Sequence, residues 1–476
     1  MTINFEVQIC DFFYCVPIVL LYILLIWRVI IFFSIFMERY FMKFRFILIF
    51  GFVFWQFSYA QQGFQLDPSK KKAVIHFKLI NNLIFIPVTV NGVDLNFLLD
   101  TGVDETILLS IDDKEAVSLN DVEKIQLRGL GSAASIEGLR STNNILSING
   151  LTDKNHTIYI VLDQGFNFSS HIGIPVNGII GYHFFKNNLV EINYDQKKII
   201  VRPENEINRK KMFKSYTSLP ISIEKNKPYL DAFVTISEQE IPAKLLLDLG
   251  NSDALWLFQD INSNIKAPSN NFEDFLGVGF SGEVLGKRTK ISEFKMDKFI
   301  FHNPIIAMPD TNSVKSVNIV KDRVGSVGGE IFKRFSVVFD YNNSKMFLRK
   351  SNQYDAPFHY NLSGIEVQNN GLQWIQETVT LGTDSKDQNL MANEFKYKFS
   401  LQPNYIISNI RKNSQAEIVG LKVGDVIVSL NNVLGYKYTL EKINKILKAE
   451  KGNFVILEVD RNGQILKFKI QLIDIL

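Results

Sequence analysis

Three short elements of this chain occur twice, in the same order. The run "VNGVDLNFLLDTGVDETILL" (residues 90–109) has a counterpart in "EQEIPAKLLLDLGNSDALWLF" (238–258), which sets Asp248 148 residues after Asp100. "NGIIGYHFFKNNLVEINYDQKKIIVRP" (177–203) is matched by "GSVGGEIFKRFSVVFDYNNSKMFLRK" (325–350), and the same interval pairs Gly329 with Gly181. Between them lie the Gly-rich stretches "LRGLGSAASIEG" (127–138) and "LGVGFSGEVLG" (276–286). Such a chain is a duplicated unit and must fold as two related halves. The repeated runs are rich in β-branched and aromatic residues, and Asn91-Gly92 reads as a hairpin turn. Amphipathic helical spacing is scarce before residue 410. The expected fold is mainly β, with pseudo-symmetric lobes at residues 67–205 and 212–352 and the polar stretch 204–211 as their linker.

Asp100 and Asp248 each end an apolar run. An ionised carboxylate there is costly unless paired or hydrogen-bonded, so each acid is either held in a network or put to use. Composition narrows the chemistry. The only cysteines are Cys10 and Cys15, so no thiolate nucleophile, disulfide or Cys-ligated zinc exists beyond residue 15. The six histidines show no metal-ligand spacing, and neither a metal nor an organic cofactor is expected. A net charge of +3 gives no nucleic-acid surface, and Lys70-Lys71-Lys72 reads as a solvated patch. What remains is carboxylate or hydroxyl chemistry.

The first sixty residues differ from the rest. Residues 12–36 are long enough to span a bilayer, broken only by Arg28. A second unit begins at Met42, with Lys43 and Arg45 before the apolar residues 46–57 and Ser58-Tyr59-Ala60 as a cleavage site. Residues 1–60 are therefore expected to be an apolar region ending in a signal peptide, with Met42 as the true start and cleavage after Ala60. The mature protein would be periplasmic or secreted, or membrane-anchored if the N-terminus is retained.

The repeated pieces carry a family resemblance. Asp100-Thr101-Gly102 after an apolar strand, a Gly-rich hairpin and then Ile179-Ile180-Gly181 resemble the half-site of aspartic proteases of the retropepsin type. "DLGNSDALWL" resembles the corresponding pepsin-type segment. The resemblance covers roughly residues 70–350. It implies two acid-protease β lobes and a dyad of Asp100 and Asp248 that activates a water, with a polypeptide substrate. Thr101, Gly102, Gly250, Asn251 and Ser252 would support the dyad loops. Asp104, Gly129, Gly131, Ser132 and Gly279 would meet substrate, the glycine-rich hairpins acting as flaps. Physically, the glycines permit the tight turns, and two adjacent carboxyls cannot both ionise, so the pair shares one proton.

Several positions depart from that pattern. In the family, the Thr hydroxyl of each triplet hydrogen-bonds across the two loops; Leu249 has none, so the brace is expected to be one-sided. Val103 lacks a hydroxyl that would stabilise ionised Asp100, whose pKa should rise, whereas Asn251 offers a donor on the other side. The second apolar-Gly element is read as Val327-Gly328-Gly329. Activity is expected in mildly acidic to neutral conditions. Blander readings accompany these: Asp104 and Glu105 as surface charges, Trp256 as core, His183 as packed or surface, and Asp195 and Asp340 as turn formers.

From about residue 356 the pattern changes. "YIISNIRKNSQAEIVGLKVGDVIVSLNNV" resembles a bacterial PDZ domain in its Ser414-x-Ala416, Gly420-Leu421 and Gly424-Asp425-Val426-Ile427 steps. An amphipathic helix follows, with Leu440, Ile443, Ile446 and Leu447 on one face, then a hairpin turning at Asn462-Gly463. The resemblance implies a small α+β PDZ domain over residues 356–475 that adds a C-terminal peptide to a sheet edge. Phe399, Leu401, Tyr405 and Ile406 are the expected groove; buttressing of the second lobe is the competing role. The expected whole is an exported aspartic endopeptidase acting as a monomer. The alternative is a non-catalytic peptide-binding or scaffold protein that keeps the acid-protease fold.

Overall fold

The computed structural model describes residues 63–109, 117–127, 136–162, 167–259, 261–279, 282–314, 320–380 and 395–476. The signal-peptide and anchor expectations at residues 1–60 lie outside these residues, as do Gly129, Gly131 and Ser132.

The repeat is realised as the same local topology built twice. Strands Leu83–Val90 and Val93–Leu99 form an antiparallel hairpin, Phe85 opposite Leu98 and Val90 opposite Val93. Asn91 and Gly92 turn it at φ 47° and 93°, the positive values a two-residue hairpin requires. Val93–Leu99 then lies parallel to Gly178–Ile180, which also pairs antiparallel with Thr106–Leu108. In the second half Lys227–Ile236 and Gln239–Leu247 form the hairpin. Gln239–Leu247 runs parallel to Arg323–Val327, and that strand pairs antiparallel with Leu255–Leu257. Both acids thus leave the end of a strand whose neighbours are fixed on either side. The first half forms a nine-stranded sheet and the second a ten-stranded one.

A third sheet joins the halves. Ala73–His76, Asn188–Asn193 and Lys198–Pro203 come from the first half, and Thr217–Pro220, Phe335–Asp340 and Lys345–Lys350 from the second. Its seam is antiparallel, Val190 opposite Phe339 and Asn193 opposite Ser336, which is the relation an approximate two-fold axis requires. One apolar core runs through both halves, from Phe97 and Ile180 to Leu247, Val327 and Phe339. Such fully buried side chains each contribute about 1.5–3 kcal/mol. The expected linker at 204–211 is largely helical, Glu206–Ser215. Arg209 Nε pins it to Asp340 Oδ2 at 3.0 Å. Asp340 also caps the turn after its strand, accepting from the Asn343 amide at 3.3 Å.

The C-terminal residues form a six-stranded sheet beginning with Ile365–Thr380 and Phe395–Ile410. Helix Leu440–Leu447 covers it, N-capped by Thr439 and burying Leu440, Ile443 and Leu447. Its core includes Ile305 of the second half, and Phe272 and Phe358 pack against it. This part therefore packs directly on the second half. The expected peptide groove is corrected here. Phe399 and Leu401 stand exposed on a two-stranded arm, 59% and 48% accessible. Tyr405 is in the core with its hydroxyl donating to the Tyr438 carbonyl at 2.8 Å. Ile406 is paired on both sides, with Gln368 and Val426. The four residues do not share a groove, and at Ile406 no edge is open for strand addition.

Candidate active site

The two acid loops are held by matched backbone bonds. Asp100 N–H donates to Ile180 O and Asp248 N–H to Val327 O, both at 2.9 Å. Within each loop the glycine amide donates to the acid, Gly102 to Asp100 Oδ1 at 2.6 Å and Gly250 to Asp248 Oδ1 at 3.1 Å. The two carboxyls are hydrogen-bonded to each other. The glycines are required by this approach: a methyl on Gly102 would lie 2.9 Å from Asp248 Oδ1, and one on Gly250 would collide with the Asp100 carboxyl.

The matched bonds correct the register of the second apolar-Gly element. Leu98 and Leu99 pair with Ile179 and Ile180, while Leu246 and Leu247 pair with Ser326 and Val327. Gly328, not Gly329, is therefore the partner of Gly181, and the element is Ser326-Val327-Gly328. Gly181 packs against the carbonyls of Val103 and Asp100, and Gly328 against those of Asp253 and Asn251. One residue lost between the halves explains the slip: the interval is 148 at the acids and 147 here.

The brace across the loops is one-sided. Thr101 Oγ1 donates to Leu247 O at 2.6 Å and accepts from Leu249 N–H at 3.0 Å. Leu249 instead buries its side chain in the shared core. Asn251 does not serve the carboxylate; its amide faces Ser326 Oγ at 3.3 Å and its Oδ1 accepts from Asp253 N–H at 2.9 Å. The carbonyl of Ser252 accepts from Asn82 Nδ2 across the halves at 2.9 Å.

Burial and the charge of Asp248 push the Asp100 carboxyl above its ordinary range, against the Gly102 amide. Burial also raises Asp248, which the Arg323 guanidinium opposes. The pair titrates as a unit and retains one proton above the usual carboxylate range. Arg323 is buried, stacked on Phe258 at 5.3 Å, and donates from Nε to Gly325 O at 3.0 Å. Nothing in the sequence pattern marked it.

The dyad lies in a cleft of about 920 Å³ lined by Asp104, Ser252, Gly279 and Trp256. Asp104 sits 3.9 Å from Lys227 Nζ. Glu105 is held below its ordinary range by His183, 3.4 Å away. Trp256 is half-buried, its indole N–H donating to Asp253 Oδ2 at 2.8 Å. Arg288 ties the second acid loop to the Gly-rich hairpin, reaching Asp253 Oδ1 at 2.8 Å and Asp274 Oδ2 at 2.7 Å. Sequence reading missed this clamp because Arg288 lies 14 residues from Asp274 and 35 from Asp253, and the three belong to no motif. It also missed that the C-terminal part lines the same cleft, through Tyr360, Asn361, Glu366 and Lys448 among others. Among the described residues, no group of three or more His, Cys, Asp or Glu side chains is placed to hold a metal ion.

Comparison with known proteins agrees with this geometry over part of the chain. The family model described as aspartyl protease matches residues 86–184, which carry Asp100, Thr101, Gly102 and Gly181. Over that segment the chain is similar to aspartyl proteases. A solved aspartic proteinase from Irpex lacteus is 14% identical, with a TM-score of 0.40, over 60% of this chain and 99% of its own. A search of curated proteins returned no match. The architecture is mainly β, with two related halves in one chain that each present an Asp-x-Gly loop.

Proposed function

We propose that the chain is an aspartic endopeptidase. The observation that supports this best is the pairing of two Asp-x-Gly loops, each fed by the same strand topology, with their carboxyls hydrogen-bonded. In this reading a water sits between the carboxyls. The ionised oxygen takes its proton as hydroxide attacks the scissile carbonyl, and the protonated partner donates to the carbonyl oxygen. The resulting gem-diol collapses as the dyad delivers a proton to the leaving nitrogen. Both acids come from one chain, so a monomer suffices. The alternative, a non-catalytic peptide binder, draws on one feature: Leu249 has removed half of the loop brace.

The C-terminal part is read as a PDZ-type domain for peptide or partner recognition. Ser414 caps the helix Gln415–Ile418, and Asp425 receives Arg461 at 2.7 Å, so the residues behind the resemblance have structural roles. Export rests on Lys43, Arg45 and the apolar residues 46–57.

The test compares the full chain with Asp100→Asn and Asp248→Asn on a diverse peptide library from pH 3 to 8. Cleavage by the parent and loss of at least a hundredfold in both variants is expected. Peptide binding without cleavage by the parent would establish the alternative. Retained activity in Asp248→Asn would mean that the first half pairs with another copy.

A further inference from the structure

The two halves do not wall the cleft alone. Residues of the C-terminal part line it together with Asp100 and Asp248. Among them, Glu366 lies on the strand Ile365–Thr380, between Ile365 and Val367, whose side chains are buried in the C-terminal core. Strand alternation turns Glu366 the other way, out of that core and into the cleft.

Its charge is poorly answered. Glu366 Oε1 accepts from Asn361 Nδ2 at 3.2 Å, and no ion pair reaches it among the described residues. The Arg288 guanidinium is committed to Asp253 and Asp274, and that of Arg411 stacks on Phe272 and donates to Asn361 O at 3.0 Å. Asp274 repels Glu366, and Lys448, exposed at the end of the helix, offsets it only in part. Burial and Asp274 push the carboxyl up to about 7, as expected for an acid lacking a close cation. The cleft as a whole carries seven Asp and Glu side chains against four Lys and Arg, although the whole chain has a net charge of +3. Such a concentration of one sign draws in ligands of the other.

We propose that Glu366 forms a subsite for a Lys or Arg side chain of a bound peptide, so that the C-terminal domain selects basic substrates for the dyad. This rests on the peptidase reading for its substrate, but the subsite is tested by binding alone. The full chain carrying Asp100→Asn is titrated, by fluorescence anisotropy, with peptides identical except for Lys, Gln or Glu at each successive position. At one position Lys should bind about tenfold more tightly than Gln, as for a hydrogen-bonded charge pair that is partly shielded from water. Adding Glu366→Gln should bring that ratio within twofold. Lys448→Met, which removes the competing internal cation, should enlarge it. No binding of the Lys peptides, no preference, or a preference that survives Glu366→Gln overturns the proposal. If the preference holds but the parent chain cleaves none of these peptides, the subsite stands and the peptidase reading falls. Cleavage without a preference for basic residues means the reverse.

Discussion

Thr101 bridges the second acid loop on its own: its hydroxyl donates to Leu247 O at 2.6 Å and accepts from Leu249 N–H at 3.0 Å. Because Leu249 returns nothing, both backbone groups depend on one side chain. Thr101→Val keeps the shape but leaves a buried donor and acceptor unpaired, at roughly 1–3 kcal/mol each. Chemical denaturation should show a loss of about 2–4 kcal/mol, and kcat should fall because the second carboxyl loses its alignment. Thr101→Ser, which keeps the hydroxyl, should recover most of both. Equal losses in the two variants would show that the methyl, not the bridge, matters.

The dyad makes a signed prediction about pH. Burial and the like charge of Asp248 raise the Asp100 carboxyl in the folded state. A carboxyl so raised contributes stability that is complete below its unfolded value and lost as pH rises through the folded value. Asp100→Asn removes the clash of charges, so its Tm relative to the parent should be near zero at pH 4 and grow towards pH 9. The parent's activity should extend from mildly acidic to neutral pH, while one proton remains on the pair. A Tm advantage that is largest in acid, or activity confined to strong acid, would contradict this account.

Much of this was legible because the duplication writes the same instruction twice. Asp100 and Asp248 stood out as acids ending apolar strands, and Leu249 already announced a one-sided brace. The register of Gly328 was misread since a single deletion between Asp248 and Ser326 leaves neighbouring glycines that both fit by eye. The pairing of Leu246 and Leu247 with Ser326 and Val327, together with the hydrogen bond from Asp248 to Val327 O, distinguishes them. Arg288, Arg323 and Glu366 were illegible for a different reason. Arg288 pairs with acids 14 and 35 residues away, Arg323 acts on Asp248 from another strand, and Glu366 reaches the cleft from the C-terminal part; such tertiary neighbours leave no periodic trace. The misplaced groove had a local cause: Phe399 and Leu401 look like strand residues facing a ligand, and only the pairing of 395–403 with 372–380 shows that they lie on an arm.

A second titrating group works in the opposite direction. His156 is buried between Thr106 Oγ1 at 2.6 Å and Asp153 Oδ2 at 2.8 Å. Asp153, an ionised acceptor, fixes the proton on Nδ1, so Nε2 accepts from the Thr106 hydroxyl. Burial pulls the imidazole below 6.5, against Asp153 and with His183. Stability from this neutral form is complete above the unfolded value and lost as pH falls below it. Thr106→Val, which removes the bond, should cost about 1–2 kcal/mol at pH 8, and more at pH 5 if His156 gains its proton there, because the Thr106 hydroxyl then turns to accept from a charged Nε2–H. A cost that does not vary with pH would mean that the imidazole stays neutral throughout.

The Arg288 clamp joins the loop after Asp248 to the strands Asn271–Gly279 and Gly282–Lys290 that flank the cleft. Arg288→Met would keep the apolar stem but leave Asp253 and Asp274 as neighbouring, mostly buried carboxylates without their cation. Breaking such a pair typically costs about 3–5 kcal/mol. Arg288→Lys keeps the charge but cannot reach both acids through a planar fork, so it should recover stability only in part. If the clamp positions the hairpin over substrate, KM should rise in both variants even at temperatures where each is fully folded. Stability restored in Asp253→Asn/Asp274→Asn/Arg288→Met, with KM still raised, would separate the geometric role of the fork from the cost of the unpaired charges. Unchanged KM in the folded variants would leave Arg288 a purely structural residue.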